Sequence, residues 1–320
     1  MNLSVLKFTR RHCIRIFAAA IAAGLSSFAD SASADGRLAW TAAPSGGRDR
    51  RYRAHAQILV LSVPLVRWPN VGGGSSAWRE AQAPDSGSLR LLEFAGFSTP
   101  ARAGGLNRLG FIRELSRTAP DAPLESLYFG LMTASPEETA EEARKALNPT
   151  AKEVTYTAID GRLAPGEVDT VVAHFSAPAA WSMGNRTELL EDSRRALSSV
   201  SPRPPDFSVP KAPLRPFLQT LADGLRSTTP QDAQFTYAGR LYDLSLQRSE
   251  DSKATSNFRS RGLLSANARA VRVSGKLRRI SGGKETNFRV WIEDGAAEPL
   301  PLRIEYQARS YLRLIFEAEG

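Results

Sequence analysis

The chain has 320 residues, 42% hydrophobic and 23% charged, with 42 Lys and Arg against 33 Asp and Glu for a net charge of +9. That length suffices for a buried core, and those fractions exclude wholesale disorder, a collagen-like fibre and a multi-span helical membrane protein. The single Cys is Cys13, and His55 and His174 are the only His beyond residue 12, which excludes a multi-His metal site and a cysteine-based enzyme.

The N-terminal segment has the three parts of a secretory signal. A basic stretch through Arg15, an apolar run from Ile16 to Phe28 and the small-residue end Ser31-Ala32-Ser33-Ala34 predict export over residues 1–34, with cleavage after Ala34. The apolar run is too short to cross a bilayer, so no transmembrane span is expected. Thr9-Arg10-Arg11-His12-Cys13-Ile14 also resembles the twin-arginine signal, with Cys13 where a Phe is usual, and both routes of export stay open. Loss of this segment removes four basic residues and one acid, so +9 becomes +6 in a chain without cysteine. An exported protein without disulfides must be held together by its core. The densest basic cluster, Arg48, Arg50, Arg51 and Arg53, has no nucleic-acid-binding pattern, and anionic lipid headgroups are a better use of the charge.

Residues 35–50, polar and Gly-rich, read as a flexible leader, and 51–320 as a single β-rich domain. The run from Tyr52 reads as a strand that ends near Pro64 or continues as a bent edge through Leu65, Val66 and Trp68. Gly72-Gly73-Gly74 is a turn or a point of close approach. Strands follow over 76–80, 89–94, 109–117 and 124–132, with Gly104-Gly105 between the second and third, in the pattern of an antiparallel meander. Ser135-Pro136-Glu137-Glu138 answers the free N–H groups of a first helical turn and predicts a helix to about Leu147. Strands resume over 154–159 and 168–175, with turns at Asp160-Gly161 and Pro165-Gly166. Asn185 and Glu188 then start a helix to about Leu197. Six prolines between Ser201 and Pro216 make an extended connector. Beyond it Leu214, Phe217, Leu218, Leu221 and Leu225 mark one face of a helix ending near Arg226.

Over 242–246, 288–293, 302–306 and 312–317, apolar residues recur at every second position. That period sends one face of each strand into a core and leaves Arg and Glu on the other, as in an antiparallel sheet solvated on one side. The segments Tyr156 to Val168, Tyr237 to Leu246, Phe288 to Glu293 and Leu300 to Tyr306 resemble, in order and spacing, a family of bacterial exported proteins of unknown function. The resemblance covers roughly residues 150–320 and leaves 51–150 outside it. It implies a β-rich, partly open barrel and a place among envelope proteins that handle lipidic or polysaccharide material. It brings no catalytic residues with it, and the cysteines of some relatives are absent here.

Signature chemistry is missing: there is no Gly-x-Ser-x-Gly, phosphate-binding loop, His-Glu-x-x-His or Cys-x-x-Cys. His174 is the better candidate base for a hydrolase. As Val171, Ala173 and Phe175 form the alternate apolar set, His174 reads more simply as a hydrogen-bonded or exposed strand residue on the outer face, and His55 likewise. Glu293-Asp294 and Glu137-Glu138 are explained by a turn and a helix start. Trp291, Tyr306 and Tyr311 could stack on sugars or lie at a membrane rim. Trp291 falls on the polar face of its strand, where a covering helix is the expected reason.

The sequence thus predicts a mainly β fold, an antiparallel curved sheet or partly open β-barrel with a few packed helices, in a periplasmic or secreted protein. No cofactor or metal is expected. The expected function is non-catalytic binding or transport of an apolar or amphipathic ligand, a lipid or a glycan. An envelope hydrolase and a structural partner of an outer-membrane assembly are the alternatives. Phe288, Val290, Ile292, Leu302, Ile304, Leu314 and Phe316 are the candidate lining, of either a filled core or a ligand cavity.

Overall fold

The computed structural model describes residues 47–60, 63–82, 87–105, 107–119, 122–133, 152–283, 285–309 and 312–320. The export signal expected over 1–34, the expected leader up to residue 46, the helix expected over 135–147 with Glu137-Glu138, and Tyr311 lie outside these residues. The first half of the fold has β1 (Arg48–Val60), β2 (Val63–Gln82), β3 (Ser88–Ser98), β4 (Leu109–Ala119), β5 (Ala122–Thr133), β6 (Glu153–Ala164), β7 (Glu167–Pro178) and α1 (Arg186–Ser198). The second has β8 (Arg215–Pro216), α2 (Phe217–Arg226), β9 (Gln231–Tyr237), β10 (Arg240–Glu250), α3 (Ser252–Ser260), β11 (Ala270–Arg279), β12 (Thr286–Glu293), β13 (Arg303–Arg309) and β14 (Leu312–Ala318).

All strands join one 14-stranded sheet, in the order β7 to β1 and then β14 to β8. Each half is a meander of neighbours in sequence. The halves meet where β1 pairs antiparallel with β14, with Tyr52 opposite Ala318 and Ile58 opposite Leu312. Only the short β8 pairs parallel, with β9. The two ends of the sheet, β7 and β8, are not laddered to each other, so the barrel is open there.

The sheet curves around α2. On one side of this helix Leu218 and Ala222 meet Trp78, Leu92 and Ile112 of β2 to β4, together with Leu300. Facing the other half, Phe217, Leu221 and Leu225 meet Phe235, Leu246, Val271 and Val290. The apolar positions seen in the sequence therefore serve two faces, and the helix fills the space between the halves. Each leucine so buried contributes about 1.5–3 kcal/mol. Pro216 precedes its first turn, and the N–H groups of Leu218 and Gln219 donate to Glu114 Oε1 and Oε2 of β4, both at 2.8 Å.

The convex side is covered as well. Over β3 to β7, α1 brings Leu189 and Leu197 onto Phe111, Phe129, Tyr156, Val171 and Ala173. Strands such as β6 are buried on both faces, which is why their sequences show apolar runs instead of a clean alternation. On the other half α3, started by Asp251 Oδ1 accepting the Ala254 N–H at 2.9 Å, places Phe258 on Trp291 and Leu302. Sequence reasoning missed α3 because Phe258 is its single large apolar residue. It also passed over β9 and β11 as separate strands.

Several sequence expectations are corrected. β1 begins at Arg48, so the leader is shorter than 35–50, and β1 ends at Val60; Leu65 to Trp68 belong to β2, which runs back antiparallel. Gly72-Gly73-Gly74 is no turn but the middle of that strand, where a Cβ on Gly72 would stand 1.9 Å from Phe97 O. Asp160-Gly161 lies within β6: the Tyr128 ring from β5 covers Gly161, so a residue that signals a turn is here a seat for an aromatic. The proline-rich connector crosses the open seam. The Arg203 N–H donates to Thr170 O of β7 at 2.8 Å, and the Asp206 N–H to Gly239 O, between β9 and β10, at 3.1 Å.

Candidate functional site

Alternation along β10 to β14 puts a second set of residues on the convex face, and they form a shallow groove of about 250 Å³. Ser245 and Gln247 of β10, Ser274 and Lys276 of β11, and Asn287 and Arg289 of β12 line one side of it. Glu305, Gln307 and Arg313 of β13 and β14 line the other. Gly275 faces inward on β11, and the ring of Phe288, opposite it in the ladder, lies over it on the concave side, behind the groove.

Glu305 organises the charge. Arg303 Nη2 donates to Oε1 at 2.5 Å, while Arg289 and Arg313 approach Oε2 at 3.5 and 3.8 Å. Three guanidinium groups surround this nearly buried carboxylate, with Arg303 shared with Glu317 at 3.4 Å, so three arginines face two carboxylates and one positive charge is in excess. Lys276, largely exposed, is balanced by Glu285 at 3.6 Å. The groove thus presents amides, hydroxyls and cations on a rigid sheet, a donor-rich surface suited to hydroxyl and anionic groups. This row was visible in the sequence as the outward half of the period-two strands. It was set aside as solvated surface, because the alternation alone does not show that these side chains leave a hollow between them.

The candidate lining residues lie behind this groove. Phe288, Val290 and Ile292 join the cluster around α2, Leu314 and Phe316 join that of β1 and β14, and Ile304 touches both. Leu302 is elsewhere, under α3 with Trp291: it sits in a bend after Pro301, before β13 begins, and so leaves the strand's alternation. Trp291 is buried by α3 and its Nε1–H donates to Asp251 Oδ2 at 2.9 Å. Tyr306 packs inward beside Ile304.

His174 is exposed, and its Nδ1 shares a hydrogen bond with Thr157 Oγ1 at 3.0 Å. The apolar set beside it faces α1 on the convex side, so His174 lies on the concave side, opposite to expectation. His55 is buried; its Nδ1 accepts the Asn70 N–H at 3.1 Å, and burial first and Arg67 second lower its pKa. Among the described residues no cluster of three or more His, Cys, Asp or Glu could hold a metal ion, and no helix is long and apolar enough to cross a membrane. Arg48, Arg50 and Arg53 each engage a partner along β1: Glu298, Leu300 O and Glu319.

The other unusual group is Glu114, which sequence reasoning did not single out. Burial pushes its carboxyl up to about 8, against the two N–H donors of α2 and the nearby Arg90, which favour the ionised form. Arg90 is fixed in turn by Gln219 Oε1 at 2.6 Å and Asp223 Oδ1 at 2.8 Å. Both oxygens of Glu114 are engaged, so its chemistry is to anchor α2.

No protein-family model and no curated protein matches the sequence. Among solved structures the chain is similar to a beta-barrel-like protein of domain of unknown function DUF1849 from Brucella abortus. The identity is 6%, covering 84% of this chain and 95% of that one, with a TM-score of 0.35.

Proposed function

We propose that the protein is a non-catalytic binding module of the bacterial envelope, exported by its N-terminal segment, and that it holds a hydroxyl-rich, acidic ligand of glycan type in the convex groove. One observation carries the reading: on a rigid five-strand floor, amides, hydroxyls and an excess of cations converge around the nearly buried Glu305. The concave side is taken up by α2, which moves the proposal away from an apolar ligand and towards the polar face of the sheet. A volume of about 250 Å³ stands just below the usual lower end for small-molecule sites, about 300 Å³, and suits one or two sugar units of a longer chain.

Calorimetric titration with an oligogalacturonate and with a neutral malto-oligosaccharide tests this. The acidic sugar should bind and the neutral one bind at least tenfold more weakly, with the difference shrinking at high salt. Equal affinity for both, or none for the acidic sugar, would remove the proposal.

A further inference from the structure

The β1–β2 hairpin runs past the rest of the sheet. β3 pairs with β2 only from Gly72 onward, so residues 63–71 have β1 on one side and no ladder on the other. From Pro64 to Pro69 every residue is exposed, with Leu65 at 68%, Val66 at 42% and Trp68 at 48%. Apolar side chains gathered this closely on a surface mark a contact site, where scattered ones would not. Pro64 and Pro69 have no N–H to give to an added strand, which disfavours a partner chain completing the sheet there.

Charge narrows the choice further. Between Arg53 and Arg79 the hairpin carries one arginine, Arg67, and no acid, while Arg53 and Arg79 at its far end are paired with Glu319 and Asp49. The β3–β4 turn stands at the same end, tied by the Thr99 N–H donating to Val71 O at 2.8 Å, and exposes Arg102 in a stretch without acid from Phe94 to Arg113. Glu317 of β14 is the carboxylate that meets the arm, 3.4 Å from Arg67 and 3.7 Å from His55. We propose that this end of the molecule docks on an anionic lipid surface. Trp68 and Leu65 enter the boundary between headgroups and acyl chains, where an amphipathic ring is favoured, and Arg67 and Arg102 face the lipid phosphates.

The test uses the full chain and vesicles of phosphatidylglycerol and phosphatidylethanolamine, or of phosphatidylcholine alone, each with brominated acyl chains that quench tryptophan. Of the five tryptophans, Trp78 and Trp291 are buried. A quenching component on the anionic vesicles that is absent from Trp68→Phe, and weakened by salt, is the expected result. The double variant Leu65→Ser/Trp68→Ser, altered only at exposed positions, should keep its thermal midpoint and lose about tenfold in partitioning beyond the contribution of the N-terminal segment. Identical quenching in Trp68→Phe, or equal behaviour on the two lipid compositions, would overturn the proposal. So would protection of Trp68 by self-association without vesicles, which would place a second copy on the hairpin.

Discussion

Glu114 shows how one side chain ties the interior together. Its carboxyl binds a proton more tightly in the folded chain, at about 8, than at its ordinary value of 4.5. Its contribution to stability is therefore complete below about 4.5 and is lost as pH rises through 8. His55, depressed from 6.5, titrates below that value, so a comparison above pH 6.5 isolates Glu114. The urea midpoint of the wild type should fall between pH 6.5 and 9, and Glu114→Gln, though about 1 kcal/mol less stable at neutral pH for its spoiled cap, should lose that slope. A slope that persists in the variant would place its origin in another group. Gly161 makes a second point at this scale, because a Cβ there would stand 2.1 Å from Tyr128 Cζ, in a ring that is fully buried and hydrogen-bonded through its hydroxyl to Thr170. Gly161→Ala should cost about 1–3 kcal/mol in equilibrium unfolding, as overpacked cores do; an unchanged midpoint would mean that the ring can move. Neither role was legible in the sequence. A Glu among strand residues and a Gly after an Asp look like a surface position and a turn, and only the partner that folds over each reveals otherwise.

At the scale of elements, α2 decides whether the concave side is a core or a cavity. The sequence showed the helix and its apolar positions but not that they divide between two halves of one sheet, since a single helix periodicity cannot report two partners. Leu221→Asp tests the division. It directs a carboxylate at β9 to β12 while leaving Leu218 and Ala222 on β2 to β4, and it should cost about 3 kcal/mol or more. Hydrogen exchange should then rise over β9 and β10 before β3 and β4. Uniform exchange across all four strands would show that the helix holds both sides as one unit. The strands of the last third were the most legible elements, because β12 and β14 keep a strict inner row, Phe288, Val290 and Ile292, or Leu314 and Phe316. Their outer row was harder to read: a helix was expected over Trp291 but α3 itself was not located, and Arg289 lines a groove that the alternation alone does not show.

On the scale of the whole molecule, the sheet is stitched together by contacts far apart in sequence, with β1 laid against β14 and the proline-rich connector crossing the seam between β7 and the β9–β10 turn. The meander pattern predicted mainly β architecture, and the partly open barrel was what the family resemblance implied; the opening falls mid-chain, between β7 and β8, because β14 returns to β1. The meeting of β1 with β14 was hidden, because both strands have ordinary alternation and nothing in either specifies the other. This arrangement leaves α2 inside, two helices on the convex face, and between them a polar groove on β10 to β14 that the account treats as the working surface. The decisive experiment is native mass spectrometry of the protein recovered from the cells that make it, beside a Gln247→Ala/Asn287→Ala variant recovered in the same way. A stoichiometric acidic glycan is expected on the wild type and absent from the variant, while both retain the same thermal midpoint. A ligand retained equally by the variant, or a wild type carrying only an apolar lipid, would contradict that expectation.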